Sequence, residues 1–319
     1  MMKTLPIWLA SFIILLTACT EPPAAPLRVA TIPWPGYETL HLAQKLDYFT
    51  PAQVRLVELA STSQSAKAFR NGAVDAALLT LDEALSLMQY GVDLRVLLIL
   101  DISNGADAVI AKPEITHLQA LRGKRIGVEA NAIGALMFDA LLTEAKLSVQ
   151  DVQVVNLGSH EHAAAYRNGV IDAVVTLDPV RTKLLAEGAH ILFDSSQIPG
   201  RIVDVLVVRP PVLESHPAAL KALIAAHFKA LDYLNQQPQA AAELLAPYLG
   251  VATEDVIPQF ANLKQPNVAE NHALLSGAAP PLVTTAKQLA ALMERQHLLE
   301  HKVDPGTLVD ARFLPVVTP

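Results

Sequence analysis

Cysteine, aromatic residues and charge are all scarce in this sequence. Cys19 is the only cysteine in 319 residues, so no disulfide can form within the chain and the size of the core must supply its stability. Charged residues make up 17% of the chain and hydrophobic residues 52%, a balance that excludes a disordered or fibrous protein. The net charge of −7 comes without a basic block, so there is no electrostatic footprint for nucleic acid. The length is sufficient for two folded domains.

A short apolar run stands near the amino end. Lys3 precedes apolar residues 5–16, a stretch too short to span a bilayer and typical of the core of a signal peptide. The following Leu-Thr-Ala-Cys, which ends at Cys19, resembles the lipobox of bacterial lipoproteins, in which cleavage precedes a cysteine that becomes lipidated. We therefore predict a signal peptide over 1–18, lipidation of Cys19 and an extended, proline-rich tether over 19–26. A chance cysteine beside an ordinary cleavage site is the alternative.

One stretch of sequence occurs twice, 97 residues apart. The first copy covers residues 66–76 and leads into a Thr-Leu-Asp tip ending at Asp82; the second covers 163–173 and leads into a tip ending at Asp178. In each copy Asn-Gly closes a helical pattern and a short apolar run follows, which indicates a helix, a turn and a buried strand. We expect both tips to lie at the carboxyl ends of parallel strands, with each acid as a helix N-cap, and to face one cleft.

Strand and helix patterns alternate along most of the chain. This order predicts an α/β fold with parallel sheets, because successive β-α-β units pack most simply in that way. We predict one lobe over residues 27–110 and 208–319, and a second lobe over 111–207. From Pro217 onward the pattern is mainly helical, and these helices should pack on the first lobe.

Several motifs, taken in order, resemble those of type II periplasmic binding proteins. They are Trp34-Pro-Gly-Tyr37, Asn71-Gly-Ala-Val-Asp75, Gly123-Lys-Arg-Ile-Gly127, Asn168-Gly-Val-Ile-Asp172, Asp178-Pro179 and Asp310-Ala-Arg-Phe-Leu314. More narrowly, the chain is similar to the ABC-transporter substrate-binding proteins for nitrate, sulfonates, taurine and thiamine precursors. The resemblance covers residues 27–315.

This resemblance implies two lobes, each a mainly parallel sheet flanked by helices, with a ligand cleft between them. It implies a monomer that is lipid-anchored at a membrane and faces the periplasm or the cell exterior. Such a protein closes on a small solute and delivers it to the transmembrane permease of an ABC importer, with no catalytic residue, cofactor or metal. A lipid-anchored sensor subunit for a signalling partner is the alternative on the same fold.

Candidate ligand residues are those at strand ends and helix starts that face the cleft. They are Trp34, Tyr37, Ser61, Ser63, Thr80, Asp82, Asp101, Asn104 and Asp107 in the first lobe, and Asn131, Ile133, Asp178 and Asp204 in the second. Trp34 and Tyr37 either contact a flat or cationic ligand or pack against the first helix. Ser61 and Asp178 either cap helices alone or also contact the ligand.

Two departures from the family pattern bear on the ligand. Leu177 stands where relatives often carry an aromatic residue, and the predicted strand-end loops contain no arginine or lysine, which anion-binding relatives often supply. The many Asp and Asn residues there favour a ligand with an amine or several donors, such as a zwitterion or a heterocycle. Asp75 and Asp172 are not counted among these acids, because they lie inside strand patterns and are interpreted as structural.

Two enzymatic alternatives are weaker. His297-Leu-Leu-Glu-His301 matches a zinc-peptidase pattern on a helix predicted to end at Glu300, but no later glutamate completes the metal site. Pyrimidine-forming enzymes of the thiamine pathway share the fold but carry a cysteine-rich motif, whereas the single cysteine here precedes the mature domain. His160 and His162 are interpreted as a surface pair.

Overall fold

Two β-sheets organise the structure. The computed structural model describes residues 25–317, so the predicted signal peptide, Cys19 and most of the tether lie outside the described residues. The strands are β1 (Leu27–Thr31), β2 (Val54–Glu58), β3 (Ala76–Thr80), β4 (Arg95–Ser103), β5 (Ala108–Ala111), β6 (Arg125–Val128), β7 (Gln153–Asn156), β8 (Ala173–Thr176), β9 (His190–Asp194), β10 (Val203–Val208) and β11 (Leu263–Lys264). Lobe 1 contains the sheet β11-β4-β10-β3-β1-β2, and lobe 2 contains the sheet β7-β6-β8-β5-β9.

The two sheets repeat one topology. In lobe 1, β1 pairs in parallel with β2 and β3, and β10 lies antiparallel between β3 and β4. In lobe 2, β6 pairs in parallel with β7 and β8, and β5 lies antiparallel between β8 and β9. The two copies of the repeated sequence build β3 and β8, which occupy equivalent places. The predicted fold class of two similar, mainly parallel α/β lobes is confirmed.

Helices flank both sheets. They are α1 (Glu38–Lys45), α2 (Thr62–Arg70), α3 (Leu81–Met88), α4 (Ala132–Ala145), α5 (His162–Arg167), α6 (Val180–Ala186), α7 (Pro210–Ser215), α8 (Pro217–Gln236), α9 (Pro238–Leu249), α10 (Val256–Phe260), α11 (Val268–Leu275) and α12 (Pro281–Arg295). As expected, carboxy-terminal helices pack on lobe 1: α8 contacts α1 and α12 contacts α3. The buried side of α8 includes Leu220, Leu223 and Ile224, which have the spacing of one helix face. Within residues 25–317, no helix has the length and apolar character needed to cross a membrane.

Strand pairing places the crossings between the lobes earlier than the predicted boundaries. β5 pairs with strands of lobe 2, whereas β10 pairs with strands of lobe 1. Boundaries after residues 110 and 207 would cut through these two strands. Both are apolar and buried along their whole length, so their sequences do not reveal which sheet they join. The chain crosses instead at residues 104–107 and 195–202.

Serine side chains tie the two crossing segments together. Ser103 Oγ lies 2.7 Å from Ser195 Oγ, and the Gly105 N–H donates to the same Ser195 oxygen at 2.7 Å. The Ser195 N–H in turn donates to the carbonyl oxygen of Asp107 at 2.9 Å. Gly105 has a φ of 111°, which side chains rarely adopt, and a Cβ there would lie 3.2 Å from the Asn262 side chain. This double connection is where one lobe would turn relative to the other.

The same ion pair occurs once in each lobe. Asp75 accepts hydrogen bonds of 2.7–2.9 Å from the main-chain N–H and the guanidinium of Arg28. Asp172 accepts the equivalent bonds of 2.7–3.0 Å from Arg125. Each acid therefore fixes the start of the neighbouring strand, β1 or β6. The interpretation of Asp75 and Asp172 as structural acids is confirmed.

The zinc-peptidase pattern does not lie on a helix. α12 ends at Arg295, five residues before the predicted end, and His297 has a left-handed backbone with a φ of 57°. The two histidines therefore do not share a helix face with Glu300, as that pattern requires. In the described part of the chain, no three His, Cys, Asp or Glu residues are grouped so that they could hold a metal ion.

Removal of either repeated acid should destabilise its lobe. Asp75→Ala and Asp172→Ala each leave a main-chain N–H and a guanidinium without their acceptor. We expect each to lower the free energy of unfolding by about 1–2 kcal/mol, the low part of the range for bonds to charged groups because both pairs are partly exposed. Asp93→Ala, which removes an exposed acid paired with Arg95, is the control and should change little. Urea denaturation measures all three; equal losses would contradict a special role for the repeated pairs.

Candidate functional site

The carboxyl ends of β3 and β8 face the space between the lobes. Thr80 ends β3 and Thr176 ends β8, as predicted for the two Thr-Leu-Asp tips. Asp107, in the first crossing segment, lies near both tips. It lines one cavity together with Thr176 and Leu177 of the second tip, and its charge raises the pKa of Asp82 in the first. Both tips therefore border one cleft.

Two adjacent cavities occupy this cleft. The outer cavity, of about 430 Å³, is lined from lobe 1 by Ile32, Pro33 and residues 58–60, and from lobe 2 by Ser159, His160 and Leu177. The inner cavity, of about 20 Å³, has room for about one water molecule. Its polar lining comprises Thr62, Asp107, Glu129, Asn131, His162 and Thr176. Leu177 lines both cavities and so separates them.

Four buried carboxyl groups interact near the inner cavity: those of Asp107 and Glu129 line it, and their charges act on Asp82 and Glu83, of which Glu83 lines a neighbouring groove. Asp82 and Glu83 are in the first turn of α3, Asp107 is in the crossing, and Glu129 follows β6. None of the four residues is more than 6% exposed. Both oxygens of Asp82, both of Glu83 and Oδ2 of Asp107 have no hydrogen-bond partner. Buried polar atoms normally have partners, so these oxygens have unused capacity to accept hydrogen bonds.

Burial controls the ionisation of these acids. It raises the pKa of Asp82 to about 7 and that of Asp107 to about 6. Burial raises the pKa of Glu83 well above its usual range, and the charges of Asp82, Glu129 and Asp107 raise it further. The group therefore retains protons at neutral pH, and a cation placed among the carboxyl groups would favour their ionised forms.

A second acid pair is buried within the lobe 1 sheet. Asp204 in β10 lies directly opposite both Thr80 in β3 and Asp101 in β4. The Tyr37 hydroxyl donates to Asp204 Oδ1 at 2.5 Å, and the Trp34 indole donates to Asp101 Oδ2 at 3.2 Å. Burial raises the pKa of Asp101 to about 7 and raises that of Asp204 well above its usual value, with a further contribution from the charge of Asp101. Burial and their mutual repulsion therefore favour the protonated forms of these two carboxyl groups.

Trp34 and Tyr37 act as donors to these buried acids. They are 3% and 2% exposed, and neither ring lines the outer or the inner cavity. Gly36 stands between them because a Cβ at that position would lie 1.7 Å from Asp101 Oδ2. This arrangement favours the packing alternative for both aromatic residues over stacking on a ligand.

Direct hydrogen bonds join the two lobes across the cleft. The Ser63 N–H, at the start of α2, donates to Glu129 Oε1 at 2.9 Å. Gln296, which directly follows α12, is also bonded to Asp139 of α4. Glu129 thereby places a carboxylate at the N-terminus of α2, where unpaired N–H groups and the helix dipole favour negative charge. The lobes are in contact, and the cleft is nearly closed.

Asp178 is held by α6. Its Oδ1 accepts bonds from the N–H and hydroxyl of Thr182 at 2.9 and 2.6 Å, and its Oδ2 lies 3.4 Å from Arg181. Asp178 is fully buried and lines neither cavity. Asp178 therefore accepts bonds from the first turn of α6, but the N-cap of that helix is Pro179 and not Asp178 as predicted. Arg181, its ion-pair partner, was not among the predicted site residues.

The other candidates are distributed as follows. Asn131 caps α4 by accepting the Gly134 N–H at 2.8 Å, and its Nδ2 is buried beside the inner cavity without a partner. Ile133 lines the same cavity, whereas Ser61 caps α2. Asn104 is exposed in the crossing and lines neither cavity.

Sequence interpretations are wrong at Asp82, at Asp178, at His162 and at Asp204, which lies in lobe 1 and not in lobe 2, and two cleft residues were missed. Asp82 is not the N-cap of α3, because that helix begins one residue earlier and Thr80 precedes it. His162 is not on the surface: it is 1% exposed and its Nδ1 lies 3.1 Å from Thr176 Oγ1. Glu83 and Glu129 were not among the candidates. Glu129 directly follows a predicted strand, so its position at a strand end was the signal that could have identified it.

The two-lobed architecture, with its double crossing and interlobe cleft, is that of a periplasmic binding protein. The structure matches the alkanesulfonate-binding protein of Xanthomonas axonopodis pv. citri, bound to MOPS, with a TM-score of 0.76 and 17% identity, covering 91% of this chain and 100% of that chain. A family model described as NMT1-like family matches residues 20–249. The chain belongs to the NMT1-like family, and the resemblance inferred from its motifs is confirmed.

Alignments with curated relatives cover less of this chain. A Brucella abortus protein named as a binding protein is 25% identical over 207 residues, which cover 61% of this chain and 65% of that protein. The taurine-binding periplasmic protein of Escherichia coli K12 is 29% identical over 189 residues, which cover 58% of this chain and 52% of that protein. The chain therefore matches 65% or less of the length of these two relatives.

Neutralising a cleft acid should stabilise the solute-free protein in a pH-dependent way. Asp82 titrates near 4 in an unfolded chain and at about 7 when folded, so the folded state binds the extra proton between these values. The contribution of Asp82 to stability therefore falls as pH rises through this window, and levels off above it. We expect the gain from Asp82→Asn at pH 8 to exceed its gain at pH 5 by about 2 kcal/mol.

Denaturant titrations at the two pH values measure this difference. The comparison of variant with wild type removes the opposing effect of buried His162 and His227, whose pKa values are lowered by burial. Glu254→Gln, at an exposed position, is the control and should show no such pH dependence. A gain in stability from Asp82→Asn that is the same at both pH values would show that the pKa of Asp82 is not raised in the folded protein.

Proposed function

We propose that this protein is the extracytoplasmic solute-binding component of an ABC importer. It closes its two lobes around a small solute and delivers that solute to the transmembrane permease. The observation that carries the proposal is the set of buried polar atoms without partners that both lobes contribute to one interface, including those of Asp82 and Glu83 from lobe 1 and Asn131 from lobe 2. A solute that bonds to both lobes favours the closed state, because only that state makes all the contacts.

The solute contacts in this proposal are residues at or beside the inner cavity. Asp82, Asp107, Asn131 and Ile133 are the predicted residues at or beside the inner cavity, and Glu129 joins them. Relatives that are named for binding alkanesulfonates and taurine support a small polar solute. Binding and release require no covalent step, so the proposal assigns no catalytic residue and no cofactor.

A lipid anchor completes the proposal. Cys19, after cleavage of residues 1–18, carries the lipid, and the tether over 19–26 holds the lobes away from the membrane surface. The lobes then act as a monomer on the periplasmic or external side. More than one acyl chain would give stable attachment, since a single chain binds a bilayer only reversibly.

A retained or added solute should be detectable directly. Native mass spectrometry of the protein purified from its own host should show a small molecule that unfolding releases. In a thermal-shift panel, a solute present at 100 times its Kd should stabilise the folded state by about 2.7 kcal/mol. A permease should be recovered with the solute-loaded protein, whereas recovery of a signalling receptor would favour a sensor. No retained molecule and no stabilisation by any solute would contradict the proposal.

The anchor has an independent test. Cys19→Ser should abolish incorporation of radiolabelled palmitate in a bacterial host and should move the protein out of the membrane fraction. Thr20→Ser, one residue away, keeps the cysteine and should retain both label and membrane attachment. Unchanged labelling and fractionation of Cys19→Ser would show that the cysteine is not the attachment site.

A further inference from the structure

We propose that the cleft selects a solute by a protonated amine, which the carboxyl groups of Asp82, Glu83, Asp107 and Glu129 receive. This inference rests on the proposed solute-binding function and adds the charge and chemical class of the solute. It separates this chain from the relative that is named for binding alkanesulfonates, which are anions without an amine.

The first support is the set of acceptors without donors. Asp82 and Glu83 have four carboxyl oxygens with no hydrogen-bond partner, and Asp107 has one more. All three residues are at least nine-tenths buried. An ammonium group has three N–H donors and one positive charge, so it matches a set of acceptors that excess negative charge would otherwise destabilise.

The second support is that the position suited to an anion is already occupied. Ser61 caps α2 by accepting the Gln64 N–H, and the Ser63 N–H in the first turn of that helix donates to Glu129 Oε1 at 2.9 Å. Glu129 comes from the opposite lobe, so the protein's own carboxylate makes the contact that a sulfonate or carboxylate of a solute would make. An anionic solute would have to displace Glu129 and would then face the remaining acids.

The third support is the location of the basic residues. Neither the outer nor the inner cavity is lined by lysine or arginine. Arg181 is paired with Asp178. Lys67 and Arg70 line a neighbouring groove together with Glu83, and both basic side chains are exposed at the surface. The charges that act on Glu83 are therefore those of other acids.

The cavities also limit the size and shape of the solute. The inner cavity, of about 20 Å³, admits a single ammonium group and not a larger head. The outer cavity, of about 430 Å³, has mainly aliphatic walls from Ile32, Pro33, Leu59 and Leu177. We therefore infer a primary amine on a short, partly apolar body, with the amine directed inward past Leu177.

Three solutes with the same three-carbon chain test the charge preference. Propylamine, propanesulfonate and 3-aminopropanesulfonate are titrated into the mature protein at pH 8 by calorimetry. Propylamine should bind at least about tenfold more tightly than propanesulfonate, the ratio expected when one charge-assisted contact is gained and one repulsion is avoided. The affinity for propylamine should fall between pH 8 and pH 5.5, because Asp82 and Asp107 gain protons and lose their negative charge in this range. The other titratable groups that face them are Glu83, Glu129, His162 and Asp178.

Isosteric variants test the residues. Glu83→Gln and Asp107→Asn should weaken propylamine binding by about ten- to hundredfold. Glu129→Gln keeps an oxygen for the Ser63 N–H but loses the charge, so it should also weaken propylamine. Glu254→Gln is the matched surface control and should bind as wild type does. Thermal melting verifies folding, which neutral side chains at buried acid positions should not impair.

The outcomes separate this inference from the proposed function. If propanesulfonate or another anion binds and propylamine does not, the inference is overturned while solute binding stands. Unchanged propylamine affinity in Glu83→Gln, Asp107→Asn and Glu129→Gln would also overturn it, as would binding of calcium alone without any amine. If no solute of any class binds, the proposed function itself fails.

Discussion

A carboxyl group that is taken out of water without a partner destabilises the folded state by roughly 1–3 kcal/mol or more, even when it becomes protonated. The cleft of this protein contains three such residues, Asp82, Glu83 and Asp107, and all are at least nine-tenths buried. Their combined cost is a sizeable share of the 5–15 kcal/mol by which a domain is typically stable. Groups that oppose folding and serve no packing role are characteristic of functional sites.

The rest of the architecture keeps these groups together. Each lobe places one Thr-Leu-Asp tip at the end of a parallel strand, and the repeated Arg–Asp pairs fix the strands beside them. The two crossing segments, joined through Ser103 and Ser195, bring Asp107 between the tips. Closure then adds the bond from Ser63 to Glu129. Ser63 and Glu129 belong to different lobes, so the cleft depends on how the two crossing segments hold the lobes together.

Sequence patterns predicted the lobes well and the cleft only in part. The repeat, the Asn-Gly turns and the alternation of strands and helices are local signals, and they identified the fold class. The boundaries failed because β5 and β10 are uniformly apolar and nothing local states which sheet they join. His162 was misinterpreted because it is buried against Thr176 and Leu157, which lie outside its own helix, and Glu129 was missed although it directly follows β6.

The acids of the two Thr-Leu-Asp tips differ in their hydrogen bonding. α6 begins at Val180, two residues after Asp178, so that acid can accept the N–H of Thr182 and is satisfied within its own lobe. α3 begins at Leu81, so Asp82 is already inside the helix and has no equivalent donor. A shift of a few residues in where the helix starts therefore leaves Asp178 bonded to its own helix and Asp82 without a partner. The two tips are similar in sequence, but only the acid of the lobe 2 tip finds hydrogen-bond donors within the helix that follows it.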